Sequence, residues 1–191
     1  KRTMGKQDHY AASYGDFNVL TFHANEKVTV EPVFYNSDVH QKIASNLLLF
    51  YTGKKRNASE ILKVQDQVTS KKLSVLKQMK NLVKPLREVI ASGENLHQVG
   101  EILHENWELK RSLTDLTSSK EIDKYYLKAL RAGAIGGKLL GAGGGGFLIF
   151  YVEPDKQSSV IRALSNLYHM KFGFDTSGTR ITYYDQSTFY N

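Results

Sequence analysis

The stretch from Gly136 to Gly146 holds seven glycines in eleven residues and runs straight into Phe147-Leu148-Ile149-Phe150-Tyr151-Val152. Glycine loses more backbone freedom on folding than any other residue. Such density therefore persists where the chain must take positive φ or approach another backbone or a phosphate closely. The strand that follows argues against a floppy linker. Gly141-x-Gly143-x-x-Gly146 spells the dinucleotide-binding pattern, but that pattern needs a strand before it and a helix after it. Here residues 121–131 read as a helix, with a capping box expected at Ser118 and Glu121, and residues 147–152 read as a buried strand. The P-loop fails too, because Lys138 is followed by Leu139 rather than Ser or Thr. Two readings stay open: a tight helix-to-strand connection, and a loop built to lie against something.

With 191 residues the chain suits one or two domains and can bury a sizeable core. It has no cysteine, which excludes disulfides and thiolate metal sites and fits a reducing compartment. Its longest apolar runs, Leu47 to Tyr51 and Phe147 to Val152, are far too short to span a bilayer, and no signal peptide opens it. The expectation is a cytoplasmic protein without a membrane partner. Lys1-Arg2-Thr3-Met4-Gly5 starts neither a helix nor a strand and reads as though cut from a longer protein.

Residues 54–88 carry ten Lys or Arg against Glu60, Asp66 and Glu88, so the whole net charge of +7 sits there and the rest is balanced. Such a patch could attract nucleic acid. The lysines fall between the apolar positions Leu73, Leu76, Met79, Val83, Leu86 and Ile90, as on the wet side of an amphipathic helix. No aromatics interleave to stack bases, so the reading favours a solvated helix face and no nucleic-acid partner.

Phe17 to Phe22 and Lys27 to Val33 read as a β-hairpin around Ala24-Asn25-Glu26, and Leu47 to Tyr51 as a central strand. Between them, after Asn36-Ser37-Asp38, lies a short polar segment. Helices are expected over 58–68, 71–91 (kinked or restarted at Pro85), 96–113 and 122–131, the last closed by Gly133. Pro154-Asp155 opens a fifth helix with a stripe of Val160, Ile161, Leu164, Leu167 and Tyr168. Residues 171–174 and 180–184 read as a closing hairpin. The class is α+β.

The six histidines form no metal-ligand pair, and no Gly-x-Ser-x-Gly elbow occurs, so no metal site is expected. Asp8 follows Gly5-Lys6-Gln7 at the start of a helix-like segment, where an aspartate alone reads as an N-cap. Lys138-Leu139-Leu140-Gly141-Ala142-Gly143-Gly144-Gly145-Gly146-Phe147 resembles the third motif of the GHMP superfamily of small-molecule kinases, which includes galactokinase, homoserine kinase, mevalonate kinase and phosphomevalonate kinase. Gly5-Lys6-Gln7-Asp8-His9-Tyr10-Ala11-Ala12 resembles the segment that carries the catalytic aspartate in the superfamily's sugar kinases. With Leu48-Leu49-Phe50-Tyr51-Thr52-Gly53, Arg56, the segment His104 to Arg111 and Gly133 to Lys138, the resemblance runs over nearly the whole chain. It is closest to the D-glycero-D-manno-heptose 7-phosphate kinases.

This resemblance implies a ferredoxin-like C-terminal domain over residues 36–191, preceded over residues 1–35 by the tail of an N-terminal α/β kinase domain. It implies ATP and Mg²⁺, and phosphoryl transfer to the anomeric hydroxyl of a heptose 7-phosphate. Asp8 would take or orient the hydroxyl proton. Gly141, Ala142, Gly143, Gly144, Gly145 and Gly146 would support the ATP phosphate loop. Lys110, Arg111 and Lys138 would be candidates for the substrate's phosphate, although Lys110 and Arg111 read equally as an exposed basic pair on a helix. His9 stands where related sugar kinases often have Gln, and Gly15-Asp16 where Gly-Gly is frequent, which touches sugar recognition. The family's Pro-x-x-x-Gly-Leu-Gly-Ser-Ser loop occurs nowhere in the chain, so the 191 residues alone are expected neither to hold ATP tightly nor to turn over. The rival readings are an L-fucose-type sugar 1-kinase, a basic nucleic-acid-binding module and a regulatory small-molecule-binding domain.

Overall fold

The computed structural model describes residues 5–54 and 58–184, which form two compact units. Among the described residues, the smaller comprises 5–33 with 174–184, and the larger those from 34 to 173.

In the smaller unit, α1 (Gln7–Tyr14) precedes an antiparallel hairpin of β1 (Asn18–Phe22) and β2 (Val28–Pro32), with Leu20 opposite Val30. Tyr10 stacks on Tyr14 and meets Phe22 edge-on, which joins helix and hairpin through aromatic faces. The chain after Phe174 lies against the end of α1. The Asp16 amide donates to the Asp175 carbonyl at 2.9 Å, the Thr179 amide to the Ser13 carbonyl at 2.9 Å, and Phe17 meets Phe174.

The larger unit is built on a four-stranded antiparallel sheet in the order β4 (Gly136–Leu139), β5 (Phe147–Tyr151), β3 (Leu47–Tyr51), β6 (Tyr168–Met170). Helix α2 (Ser37–Ser45) leads into β3. The crossover from β3 to β4 contains α3 (Ala58–Val68), a 3₁₀ turn at Thr69–Lys72, α4 (Leu73–Asn81), α5 (Val83–Ser92), α6 (His97–Arg111) and α7 (Lys120–Arg131). Helix α8 (Pro154–Ala163) returns the chain from β5 to β6. Strand, crossover, hairpin, helix and strand make the βαββαβ plan of a ferredoxin-like fold.

Leu47 to Tyr51 is apolar at every position because its sheet is covered on both faces. Leu48 and Phe50 join Leu139, Leu148 and Phe150 on one face, packed by Trp107, Tyr126 and the helices α7 and α8. Fully burying a residue such as Phe50 or Phe150 contributes roughly 1.5–3 kcal/mol. On the other face Leu47 and Tyr151 meet Val89, Val99, Leu103 and Ile135.

Several expectations are corrected. The segment after Asn36 is a helix: Val39 and Ile43, one turn apart, are both buried, and two apolar residues in nine were too few to show the period. The helix expected over 71–91 breaks at Leu82 instead of bending at Pro85. Pro85 then falls in the first turn of α5, where its missing N–H costs no helical bond. The cap of α7 is Ser119, whose Oγ accepts from the Ile122 amide at 3.3 Å, while Ser118 donates to Asp123. The α8 stripe ends at Leu164, and Tyr168 belongs to β6. No closing hairpin forms over 171–184, because the backbone there is bonded to residues 13–16. That pairing puts residues 174–184 in the smaller unit, where the sequence division assigned all of 36–191 to one domain.

Candidate functional site

The glycine run spans two structural roles, and the helix-to-strand reading is replaced by a strand–loop–strand hairpin. Gly136 and Gly137 lie inside β4, and Gly141 to Gly146 form the loop to β5. Helix α6 crosses β4 so closely that a Cβ on Gly136 would strike the Gly100 carbonyl oxygen and come within 2.7 Å of the His104 Cβ. A strand made of glycine carries little strand propensity, which is why sequence periodicity does not reveal it.

The loop is held from four directions. Thr52, at the end of β3, is buried. Its backbone N–H donates to the Gly146 carbonyl at 2.8 Å, and its Oγ donates to the same oxygen at 2.9 Å. The Gly146 amide donates to the Lys54 carbonyl at 3.0 Å, and an ion pair between Lys54 and Glu121 ties that corner to α7. Gly144 donates to the Thr117 carbonyl at 2.9 Å. Lys110 donates to the Gly141 carbonyl at 2.5 Å and Gln65 to that of Ala142 at 3.4 Å. At Gly143, φ is +114° and a Cβ would lie 2.8 Å from the Thr117 oxygen, so only glycine fits. Carbonyls of the loop are thus engaged, while the N–H groups of Gly141, Ala142 and Gly143 meet no acceptor among the described residues. Successive free amides in a glycine loop make a concavity suited to anionic oxygens.

The three basic candidates separate. Lys110 donates to the loop backbone at the Gly141 carbonyl. Arg111 turns to Glu108 at 2.8 Å and Asp123 at 3.2 Å, a bridge between α6 and α7. Lys138 is partly buried beside α6, and its Nζ donates to Asn106 Oδ1 at 2.8 Å, with no ion pair to a carboxylate among the described residues. Behind it, Tyr126 donates to the Gly137 carbonyl at 3.1 Å and His104 Nδ1 lies 2.8 Å from the Tyr126 hydroxyl. Asp8 is exposed in the first turn of α1, and Lys6 holds the N-cap position in its place. The Asp8 carboxylate has no hydrogen-bond partner among the described residues. Arg56 lies outside the described residues. Among the described residues no three His, Asp or Glu side chains converge on a metal site. Sequence reading missed Thr52, Thr117, Gln65 and Asn106. Of these only Asn106 left a signal, standing one helical turn from Lys110.

Two expectations arise here. Thr52→Val keeps the shape but leaves Gly146 without its hydroxyl partner in a buried corner, which is expected to cost about 1–2 kcal/mol in urea unfolding. Burial also pulls the Lys138 ammonium below the ordinary lysine value, with desolvation as the cause. A folded-state value below the unfolded one means that the unfolded chain binds the proton more tightly. The charge then opposes folding at neutral pH, and the penalty fades as pH rises through the folded value. The stability of the wild type relative to Lys138→Met is expected to increase as pH rises toward the ordinary lysine value and to level off above it. Tyr126, which burial pushes upward, acts in the opposite sense only above the ordinary tyrosine range and is common to both proteins.

Residues 79–169, from α4 through the glycine loop to β6, match the family described as GHMP kinases C terminal. This stretch is a GHMP kinase C-terminal domain. Across the GHMP domain and the smaller unit, the chain is 30% identical over 183 residues to D-glycero-alpha-D-manno-heptose 7-phosphate kinase of Campylobacter jejuni subsp. jejuni, covering 92% of this chain and 53% of that protein. The crystal structure of a D-glycero-D-manno-heptose 1-phosphate kinase from Bacteroides thetaiotaomicron superposes with a TM-score of 0.63 at 28% identity, covering 90% of this chain and 46% of that one. The bifunctional fucokinase/GDP-fucose pyrophosphorylase of Arabidopsis thaliana is 28% identical over 140 residues, 71% of this chain and 13% of that protein. The chain therefore spans about half the length of the heptose kinases it matches. Among the described residues no helix is long and apolar enough to cross a membrane.

Proposed function

We propose that the full-length protein containing this chain is a cytoplasmic kinase that transfers the γ-phosphoryl group of ATP to the anomeric hydroxyl of D-glycero-D-manno-heptose 7-phosphate. The observation that carries this reading is the glycine loop, held by Thr52, Lys54, Thr117 and Lys110 with amides along it that meet no acceptor among the described residues, in a chain that aligns with a heptose 7-phosphate kinase over 92% of its length. Phosphoryl transfer asks a protein mainly to position the reactants and to stabilise charge, and anchored backbone donors serve both ends. In the reaction the sugar oxygen bonds to the γ-phosphorus, the bond to the bridging oxygen breaks, and ADP leaves. The hydroxyl proton passes to Asp8, whose lone pairs meet no competing donor among the described residues.

The names of the two heptose kinases differ in where they place the phosphate, so the acceptor position belongs to the proposal. The fucokinase similarity favours one second reading, a sugar 1-kinase acting on L-fucose. An acceptor panel decides between them. With ATP and the full-length protein, heptose 7-phosphate is expected to give the highest kcat/KM, ahead of L-fucose, galactose and mannose, and a preference for an unphosphorylated sugar would refute the assignment. The 191 residues alone are expected to consume no ATP, because they contain no Gly-Leu-Gly-Ser-Ser loop.

A further inference from the structure

We infer that Lys138 and Asn106 form the seat for the acceptor's own phosphate, a phosphomonoester subsite beside the glycine loop. This assignment rests on the kinase reading for its ligand, but the geometry is independent of it. Lys138 is on the central part of β4, on the same side of the strand as Gly136, so its side chain runs along α6 as Gly136 does. There the ammonium donates inward to Asn106 Oδ1 rather than extending to water. Lysines at a protein surface usually keep the charged head solvated while burying the stem. With Asn106 Oδ1 as its one acceptor among the described residues, the partly buried ammonium keeps two donors and a charge that no described side chain compensates.

Asn106 adds to the same donor surface. The ammonium has no acceptor lone pair, so the atom facing it must be the amide oxygen. The Nδ2 of the same amide is therefore fixed alongside, with two N–H donors that find no partner among the described residues. One turn further along α6, Lys110 secures the Gly141 carbonyl, which fixes the loop relative to this corner. The nearby carboxylate Glu108 is occupied by Arg111. A tetrahedral dianion supplies several acceptor oxygens and a charge opposite to the lysine, and charge-assisted contacts of this kind are the strong ones. Lys110 and Arg111, the other two basic candidates, are then positioning and structural residues.

The test measures binding without turnover. Inorganic phosphate and heptose 7-phosphate are titrated into the full-length protein by calorimetry in the absence of ATP, alongside the KM for heptose 7-phosphate. Lys138→Met is expected to weaken phosphate binding and raise this KM at least about tenfold, and Lys138→Arg to keep both within about threefold. Asn106→Asp places a carboxylate against the ammonium. It is expected to abolish phosphate binding without lowering the thermal midpoint, a result that a merely structural lysine would not give. Lys84→Met, which removes one charge from the exposed surface of α5, controls for general electrostatics. Wild-type phosphate affinity in Lys138→Met or in Asn106→Asp would overturn the seat. If phosphate binding depends on Lys138 but no sugar phosphate is phosphorylated, the seat stands and the kinase reading falls.

Discussion

Gly136→Ala is expected to destabilise the larger unit by about 3 kcal/mol, more than an ordinary overpacking change. The new methyl would meet the Gly100 carbonyl oxygen and the His104 Cβ at 2.7 Å. Neither neighbour is the free end of a flexible side chain that could swing away. Relief would require α6 to lift from β4, and α6 carries Trp107 in the main core and Val99 in the second cluster. Gly141→Ala is the comparison, since nothing lies within 4 Å of the added Cβ there and only the positive φ opposes it. That change is expected to cost about 1 kcal/mol. Urea unfolding of both variants separates close approach from backbone conformation. A loss under about 0.5 kcal/mol in Gly136→Ala would show that α6 and β4 do not pack as described.

Asp8→Asn in the full-length protein is expected to reduce kcat by about 10²–10⁴, the usual contribution of a positioned general base. The amide is nearly isosteric and can still hydrogen-bond the sugar hydroxyl, so KM for the acceptor should change little. Folding should be insensitive, because Asp8 is exposed and engages no hydrogen-bond partner among the described residues. Loss of kcat with an unchanged thermal midpoint separates a chemical role from the helix-capping role that sequence alone suggests for an aspartate at this place. A kcat within threefold of wild type would remove Asp8 from the reaction.

The α+β class and most helices were legible because amphipathic stripes such as Leu73, Leu76 and Met79 repeat at helical spacing. The central strand was legible because five consecutive apolar residues exceed what a half-exposed strand carries. Strand β4 was hidden, since Gly136 is set by close contact with α6 and Gly137 by close contact with β5, and glycine supplies no pattern along the chain. The hairpin expected over 171–184 does not form because nothing in its sequence says which partner its backbone finds: the Thr179 amide donates to the Ser13 carbonyl, and the Asp175 carbonyl accepts from the Asp16 amide. For the site, the glycine loop announced itself, but its anchors did not. Thr52 and Thr117 act through hydrogen bonds made across more than twenty residues of chain, and such pairings leave no local signal. Lys138 and Arg111 looked alike as basic residues in matched segments. The ion pairs of Arg111, and an amide rather than a carboxylate as the partner of Lys138 among the described residues, distinguish them.

The central claim, phosphoryl transfer to the anomeric position of a heptose that already bears a phosphate, is tested most directly by ³¹P NMR of the product. The full-length protein is incubated with ATP and D-glycero-D-manno-heptose 7-phosphate, and the new phosphorus resonance is assigned through its coupling to the sugar protons. The account predicts a second phosphate coupled to the anomeric proton, formed in step with ADP, with the 7-phosphate retained. ATP consumption that places phosphate on any other carbon, or no transfer to this acceptor at all, would contradict it.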